Sequence, residues 1–128
     1  MPGPAAAGVL IYAKDFQALA RFYEQVLDMQ RLHEDEHIIV LESAALQLLI
    51  HALPAEIAAR VQVGKPPQRR ADVALKFFVT VPAIAEAASV VQALGGQVFD
   101  ERWQGPGFAV CNAMDSEGNV FQLRETLA

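Results

Sequence analysis

Three histidines, one cysteine and a short acidic run are the residues of this 128-residue chain whose types first suggest chemistry. His33 and His37 flank Glu34, Asp35 and Glu36. On a helix, residues four apart share a face, and two imidazoles with a carboxylate nearby would begin a metal site. Here the pair brackets a predicted turn between a helix and a strand, so the helical geometry fails and the run reads as a solvated acidic loop. His51 ends a strand and reads as a rim or surface residue. Cys111 is most simply a small core residue. Two cations, Lys76 and Arg124, fall inside strand-like runs of an acidic chain, where a charge must be paired or must meet a ligand.

The elements that position these residues have to come from a chain that is 53% hydrophobic and 20% charged, with a formal net charge of −5. That composition supports one compact domain with a real core and excludes a disordered class. The negative balance argues against nucleic acid, whose phosphates would be repelled without a local basic stripe. Arg69 and Arg70 are adjacent but sit in a Pro-rich link and read as solvated. A single cysteine allows no intrachain disulfide. Residues 1–8 are rich in Pro, Gly and Ala and lack a basic stretch followed by an apolar one, so no signal peptide is expected. No uncharged apolar run is long enough to span a bilayer. The expected setting is cytoplasmic, with no membrane partner.

The order of elements repeats. Val9 to Ala13 is a short apolar strand, and Asp15 is placed to cap a helix. Phe16, Leu19, Ala20, Phe22, Tyr23, Val26 and Leu27 then recur at helical spacing. Strand-like runs follow at Ile38–Leu41 and Ala44–Ile50. The second half begins with a strand over Val73–Val81, and Pro82 suits the first turn of a helix. Ile84, Ala87, Ala88, Val91 and Leu94 form its stripe, and Gly95-Gly96 stops it. Strands are predicted at Gln97–Phe99, Phe108–Cys111 and Val120–Arg124, with a turn built from Asp115, Glu117, Gly118 and Asn119. The division is module one over 8–52, a linker over 53–72 with a short helix at Ala55–Val61, and module two over 73–126. A single such module cannot bury both faces of its sheet, so the two pack together or onto a partner chain. An ordinary α+β domain with accidental symmetry is the alternative.

The run VLIYAKDFQALARFYEQVLDMQ, Val9 to Gln30, resembles the opening of the vicinal-oxygen-chelate superfamily, which includes glyoxalase I, bleomycin-resistance proteins, extradiol dioxygenases and fosfomycin-resistance enzymes. The marks are Asp15, Phe22, Tyr23 and Leu27, then Ala87, Leu94, Gly95 and Gly96, and finally the closing run DSEGNVFQLRE from Asp115 to Glu125. Asp28 departs from the family's helix-ending glycine, but Asp also tolerates the left-handed conformation. The resemblance implies an α+β fold of two βαβββ modules forming a cupped mixed sheet around a small-molecule pocket. It also implies frequent homodimers, sometimes with exchanged modules.

Metal-dependent members of the superfamily take ligands from the start of each module's first strand and the middle of its last strand. Counting from the motifs places Gly8, Gln47, Lys76 and Gln122 there. None is a histidine or a carboxylate, and a divalent transition metal needs three or four good donors. No metal and no cofactor is therefore expected. Strand alternation from those positions turns Gly8, Leu10 and Tyr12 toward the pocket, with Ala45, Gln47 and Leu49, then Lys76, Phe78 and Thr80, then Val120, Gln122 and Arg124. Gly105-Pro106-Gly107, beside Trp103, is placed as a loop over the mouth.

Such a lining suits a small organic molecule with an anionic or carbonyl oxygen. Lys76 would meet that oxygen in place of the metal, and Arg124 would suit a carboxylate bidentately. Equally, Lys76 would reach water and Arg124 would pair with Glu125 or Glu101 on the rim. A covalent amine role for Lys76 lacks a second acid or base in the lining. The expected function is a metal-independent small-molecule-binding protein, more a binder than an enzyme. The alternatives are a glyoxalase- or dioxygenase-like enzyme (lyase, isomerase or oxygenase) with a non-standard site, and a subunit whose pocket has decayed.

Overall fold

The computed structural model describes residues 5–128. They divide into two compact units, Met1–Val63 and Gly64–Ala128, and the boundary falls inside the predicted linker. For residues 1–4 the expectation about a leader lies outside the described residues. Among the described residues, no helix is long and apolar enough to cross a membrane.

The first unit opens with β1 (Gly8–Ala13) and α1 (Phe16–Val26). Asp15 caps α1 as its position predicts: its carboxylate accepts the backbone N–H of Ala18 at 3.1 Å. Leu19, Ala20, Phe22, Tyr23 and Val26 form the buried stripe. Asp28 then takes φ 51°, the left-handed turn that the missing glycine would have supplied. Next come β2 (Gln30–Glu34), β3 (Ile38–Glu42) and β4 (Gln47–Ala52), followed by a single short turn of helix, α2 (Ala55–Ala58). The sheet order is β1-β4-β3-β2, with β1 parallel to β4 and the other pairs antiparallel.

Two expectations change here. The polar run after the helix is partly strand: β2 includes His33, and only residues 35–37 form the turn. An edge strand is held by backbone pairing along one side and needs little apolar sequence. The fourth strand starts at Gln47 rather than Ala44. Ser43 donates its N–H to the Leu46 carbonyl at 2.9 Å, so Ala45 lies in a turn and not on a strand face.

The second unit contains β5 (Phe78–Thr80), α3 (Ile84–Ala93), β6 (Gln97–Val98), β7 (Trp103–Gly105), β8 (Phe108–Met114) and β9 (Val120–Thr126). The sheet runs β5-β9-β8-β6, with β7 also paired to β8 and β5 parallel to β9. The strand expected over Val73–Val81 is only three residues long. Backbone bonds to β9 extend only to Phe77 and Val81 on either side, and Leu75 is 87% exposed. The segment expected as a loop over a pocket mouth is a hairpin: Trp103 pairs with Val110 and Gly105 with Phe108, and Gly107 turns at φ 77°.

Side chains hold both ends of this unit's connections. Ala83 offers no cap to α3, and Glu125 of β9 accepts the Ile84 N–H at 2.7 Å instead. In the last turn the buried Asp115 accepts the N–H of Glu117 at 2.9 Å and that of Asn119 at 3.1 Å. The segment before β5 is tied to that turn. Arg70 donates its N–H to the Gly118 carbonyl at 3.0 Å and its Nε to the Glu117 carbonyl at 3.3 Å. Arg69 lies 4.0 Å from the centre of the Phe99 ring. Both arginines are exposed as expected, but neither is merely solvated.

Candidate functional site

Alternation sorts each strand onto two faces. In the second unit Phe121 and Leu123 are fully buried on the α3 side, and Phe121 stacks on Phe77 with ring centres 5.5 Å apart. Gln122 and Arg124 therefore project from the opposite, open face. Register sets their neighbours: Phe78 and Asn112 lie beside Gln122, and Thr80 and Val110 beside Arg124. Trp103, the chain's one tryptophan, continues the second row through its pairing with Val110.

Arg124 is the principal charge of this face. Its guanidinium carbon lies 3.6 Å from the Phe78 ring centre and 4.5 Å from that of Phe108. Two rings hold the cation by their quadrupoles and by contact. Its Nε is buried without a hydrogen-bond partner, and among the described residues no carboxylate pairs with it. The anticipated rim pairing with Glu125 is not made, because Glu125 points to the other face and caps α3. Beside Arg124, Gln122 Nε2 donates to Asn112 Oδ1 at 3.3 Å.

The first unit carries a matching pair. Gln47, only 9% exposed, donates its Nε2 to Glu42 Oε1 at 3.4 Å from the register-opposite position. Leu10, Tyr12 and Leu49 share this open face, as alternation predicts. Val9, Ile11 and Ala13 turn toward α1, alongside the fully buried Leu48 and Ile50. His51 is the register partner of Tyr12, with ring centres 5.4 Å apart. Its Nδ1 lies 2.7 Å from the Ala52 carbonyl. A carbonyl only accepts, so Nδ1 carries the proton and Nε2 of the neutral ring is an acceptor.

Glu42, Asn112 and His51 are thus site-face residues that the sequence did not yield as such. The first two could have been found by carrying each predicted glutamine across its hairpin to the residue opposite. Lys76 is corrected in register. It is exposed and lies before β5. Gly8 pairs with Gln47 and Phe78 with Gln122, so Phe78 is the counterpart of Gly8. Cys111 is fully buried among apolar groups, and desolvation raises its thiol pKa, the opposite of an activated nucleophile.

These registers also test the family's metal position. Gly8 supplies no side chain, Phe78 a phenyl ring, and Gln47 and Gln122 two neutral amides already engaged with Glu42 and Asn112. In neither unit do these donors fit a divalent transition metal. A separate surface cleft of about 470 Å³ lies between Ile84, Arg102, Trp103, Gln104, Ala109 and Glu125. Of the residues the sequence placed at the pocket, it holds only Trp103, from the expected mouth. Its carboxylate is committed to the helix cap, and Arg102 donates to the Phe99 and Glu101 carbonyls. The open face is the better candidate, because its cation has a buried donor without a partner, whereas Arg102 is bonded to two carbonyls.

The family model for a glyoxalase-like domain matches residues 8–124. Among solved structures, the chain is similar to a glyoxalase/bleomycin resistance protein/dioxygenase family enzyme from Burkholderia phytofirmans PsJN. Identity is 18%, over 94% of this chain and 98% of that one, with a TM-score of 0.71. It is also similar to the fosfomycin resistance protein FosX from Listeria monocytogenes, at 14% identity over 98% and 93% of the two chains, TM-score 0.66. Lactoylglutathione lyase from Agrobacterium tumefaciens is similar at 20% identity over 98% and 96%, TM-score 0.60. At these identities the likeness speaks for the fold. No curated protein matches.

Proposed function

The chain belongs to the glyoxalase-like domain family of the vicinal-oxygen-chelate superfamily, and from that premise we propose that it binds a small organic molecule without a metal, receiving an anionic or carbonyl oxygen at Arg124. The observation that carries this reading is the state of Arg124: a half-buried cation, held by Phe78 and Phe108, with an unpartnered Nε and, among the described residues, no carboxylate paired with it. A buried donor left unsatisfied costs on the order of 1–3 kcal/mol, and an oxyanion that drew the guanidinium into a paired geometry would recover that cost. Lys76, exposed two residues ahead of Phe78, adds attraction for an anion that salt would screen. Gln122 and Asn112 supply neutral hydrogen bonds, and Thr80 a hydroxyl in the same row.

Calorimetric titration of chelator-treated protein with small carboxylates tests this reading. Binding by the wild type and its loss in Arg124→Gln, with an unchanged melting temperature, is the supporting outcome. Equal binding by both proteins would remove it.

An enzymatic reading draws on His51, whose Nδ1 tether presents Nε2 as a proton acceptor on the first unit's open face. Turnover of a carbonyl substrate that disappears in His51→Gln would favour it. A homodimer is supported by the superfamily resemblance alone, and sedimentation at twice the monomer mass would establish it.

A further inference from the structure

The open face of the second unit specifies more than an anion. Arg124 and Gln122 are two residues apart on β9, and alternate residues of a strand lie roughly 6.6 Å apart on one face. Arg124 also leans over Phe78, the register partner of Gln122, which brings the guanidinium toward the amide pair. Two phenyl rings pack against it and its Nε is buried, so the terminal edge that carries the two Nη groups is the one left open. An edge offers two parallel N–H donors, a geometry that matches a carboxylate.

The amide pair has its own signature. Gln122 and Asn112 share one hydrogen bond, amide nitrogen to amide oxygen. Whichever way the two amides are turned to make that bond, one amide oxygen and one amide nitrogen remain over. Among the described residues, the buried side-chain atoms without a partner are Ser116 Oγ and Arg124 Nε. The spare amide atoms are not among them, so they keep access to solvent or ligand. A spare acceptor next to a spare donor is satisfied by one group that both donates and accepts, which is a hydroxyl. Phe78, the register partner of Gln122, is 51% exposed and carries the Arg124 guanidinium over its ring, so its free edge offers an apolar surface beside both groups.

We infer that the ligand of this face is a hydroxycarboxylate, with its carboxylate on the terminal edge of Arg124 and a hydroxyl, not adjacent to the carboxylate, on the Gln122–Asn112 pair. The inference rests on the anion reading proposed above and deepens it by naming the second polar group and its spacing. Position matters in this assignment: a hydroxyl adjacent to the carboxylate gains nothing from the amides. The apolar body between the two ends would lie against Phe78.

Rigid aromatic acids serve as rulers. Calorimetric titration of the chelator-treated protein would compare 4-hydroxybenzoate, 2-hydroxybenzoate and benzoate. Two neutral hydrogen bonds are worth roughly tenfold in Kd, so 4-hydroxybenzoate binds about tenfold more tightly than benzoate, and 2-hydroxybenzoate binds no more tightly than benzoate. Gln122→Leu brings 4-hydroxybenzoate down to the affinity of benzoate, and Arg124→Gln weakens all three acids. Equal affinity for 4-hydroxybenzoate and benzoate, with both still dependent on Arg124, overturns the hydroxycarboxylate assignment and leaves the anion reading intact. Absence of binding by every acid, or binding indifferent to Arg124→Gln, overturns both.

Discussion

Arg124 holds its guanidinium carbon 3.6 Å from the centre of the Phe78 ring, and no carboxylate among the described residues shares that charge. The contact joins β9 to β5, the three-residue edge strand, and it sets the direction of the cation proposed to meet a ligand. Removing the ring therefore affects both the edge strand and the cation. Phe78→Ala loses a cation–π contact worth about 0.5–2 kcal/mol, and the freed guanidinium pays more entropy on binding. We expect a carboxylate Kd about three- to tenfold weaker than wild type, a smaller loss than in Arg124→Gln, measured by titration calorimetry.

The closing turn is constrained on two sides. Gly118 has φ 85°, and a Cβ at that position would meet the Gln68 carbonyl oxygen at 2.1 Å. Backbone cannot yield as a flexible side chain does, so Gly118→Ala forces the 68–70 segment away and breaks the hydrogen bonds that Arg70 makes to Glu117 and Gly118. Left-handed strain alone costs about 1–2 kcal/mol, and the clash adds to it. Urea unfolding should show a loss of at least about 2 kcal/mol, with amide exchange faster at Arg70 first.

Asp35 gives the chain a pH signature at the β2–β3 turn. Its carboxylate sits 3.0 Å from His33 Nε2 and accepts the N–H groups of His37 at 2.8 Å and Ile38 at 3.0 Å. The hydrogen bond with His33, followed by the two backbone bonds, lowers its pKa from 3.8 to about 2. A carboxyl lowered in the folded state stabilises the fold above its unfolded value and loses that contribution as pH falls from 3.8 toward 2. The side-chain carboxyl resonance of Asp35 should titrate with a midpoint near 2, and Asp35→Asn should differ from wild type in stability at neutral pH but converge with it at the acid end. A midpoint near 3.8 would contradict the turn geometry.

The parts of this protein that were legible in the sequence are those where one face is buried. The α1 stripe, the Asp15 cap, the left-handed Asp28 and the alternation that turns Leu10, Tyr12, Gln122 and Arg124 away from the helices all follow from periodicity and turn chemistry. Pairing with a neighbouring strand leaves a weaker trace. The edge strand β2 reads as a loop because its ladder is backbone chemistry, and β7 was obscured by the Gly-Pro-Gly that follows it. The register of β5 misled in a specific way. Val73 to Val81 is continuously strand-like, yet only Phe78–Thr80 forms the ladder, so a count from the glycines placed Lys76 where Phe78 stands. The site's main charge shifted accordingly, from the lysine that spacing favoured to the arginine that two phenylalanines hold.

The most direct measurement of the central claim is the affinity of a small carboxylate for chelator-treated wild type and for Arg124→Gln, each before and after addition of a divalent transition metal. Chelated wild type should bind, added metal should change nothing, and Arg124→Gln should weaken binding about tenfold or more, as expected for a lost charge-assisted bidentate contact. Binding that vanishes with chelation and returns with metal, or that ignores Arg124, would contradict it.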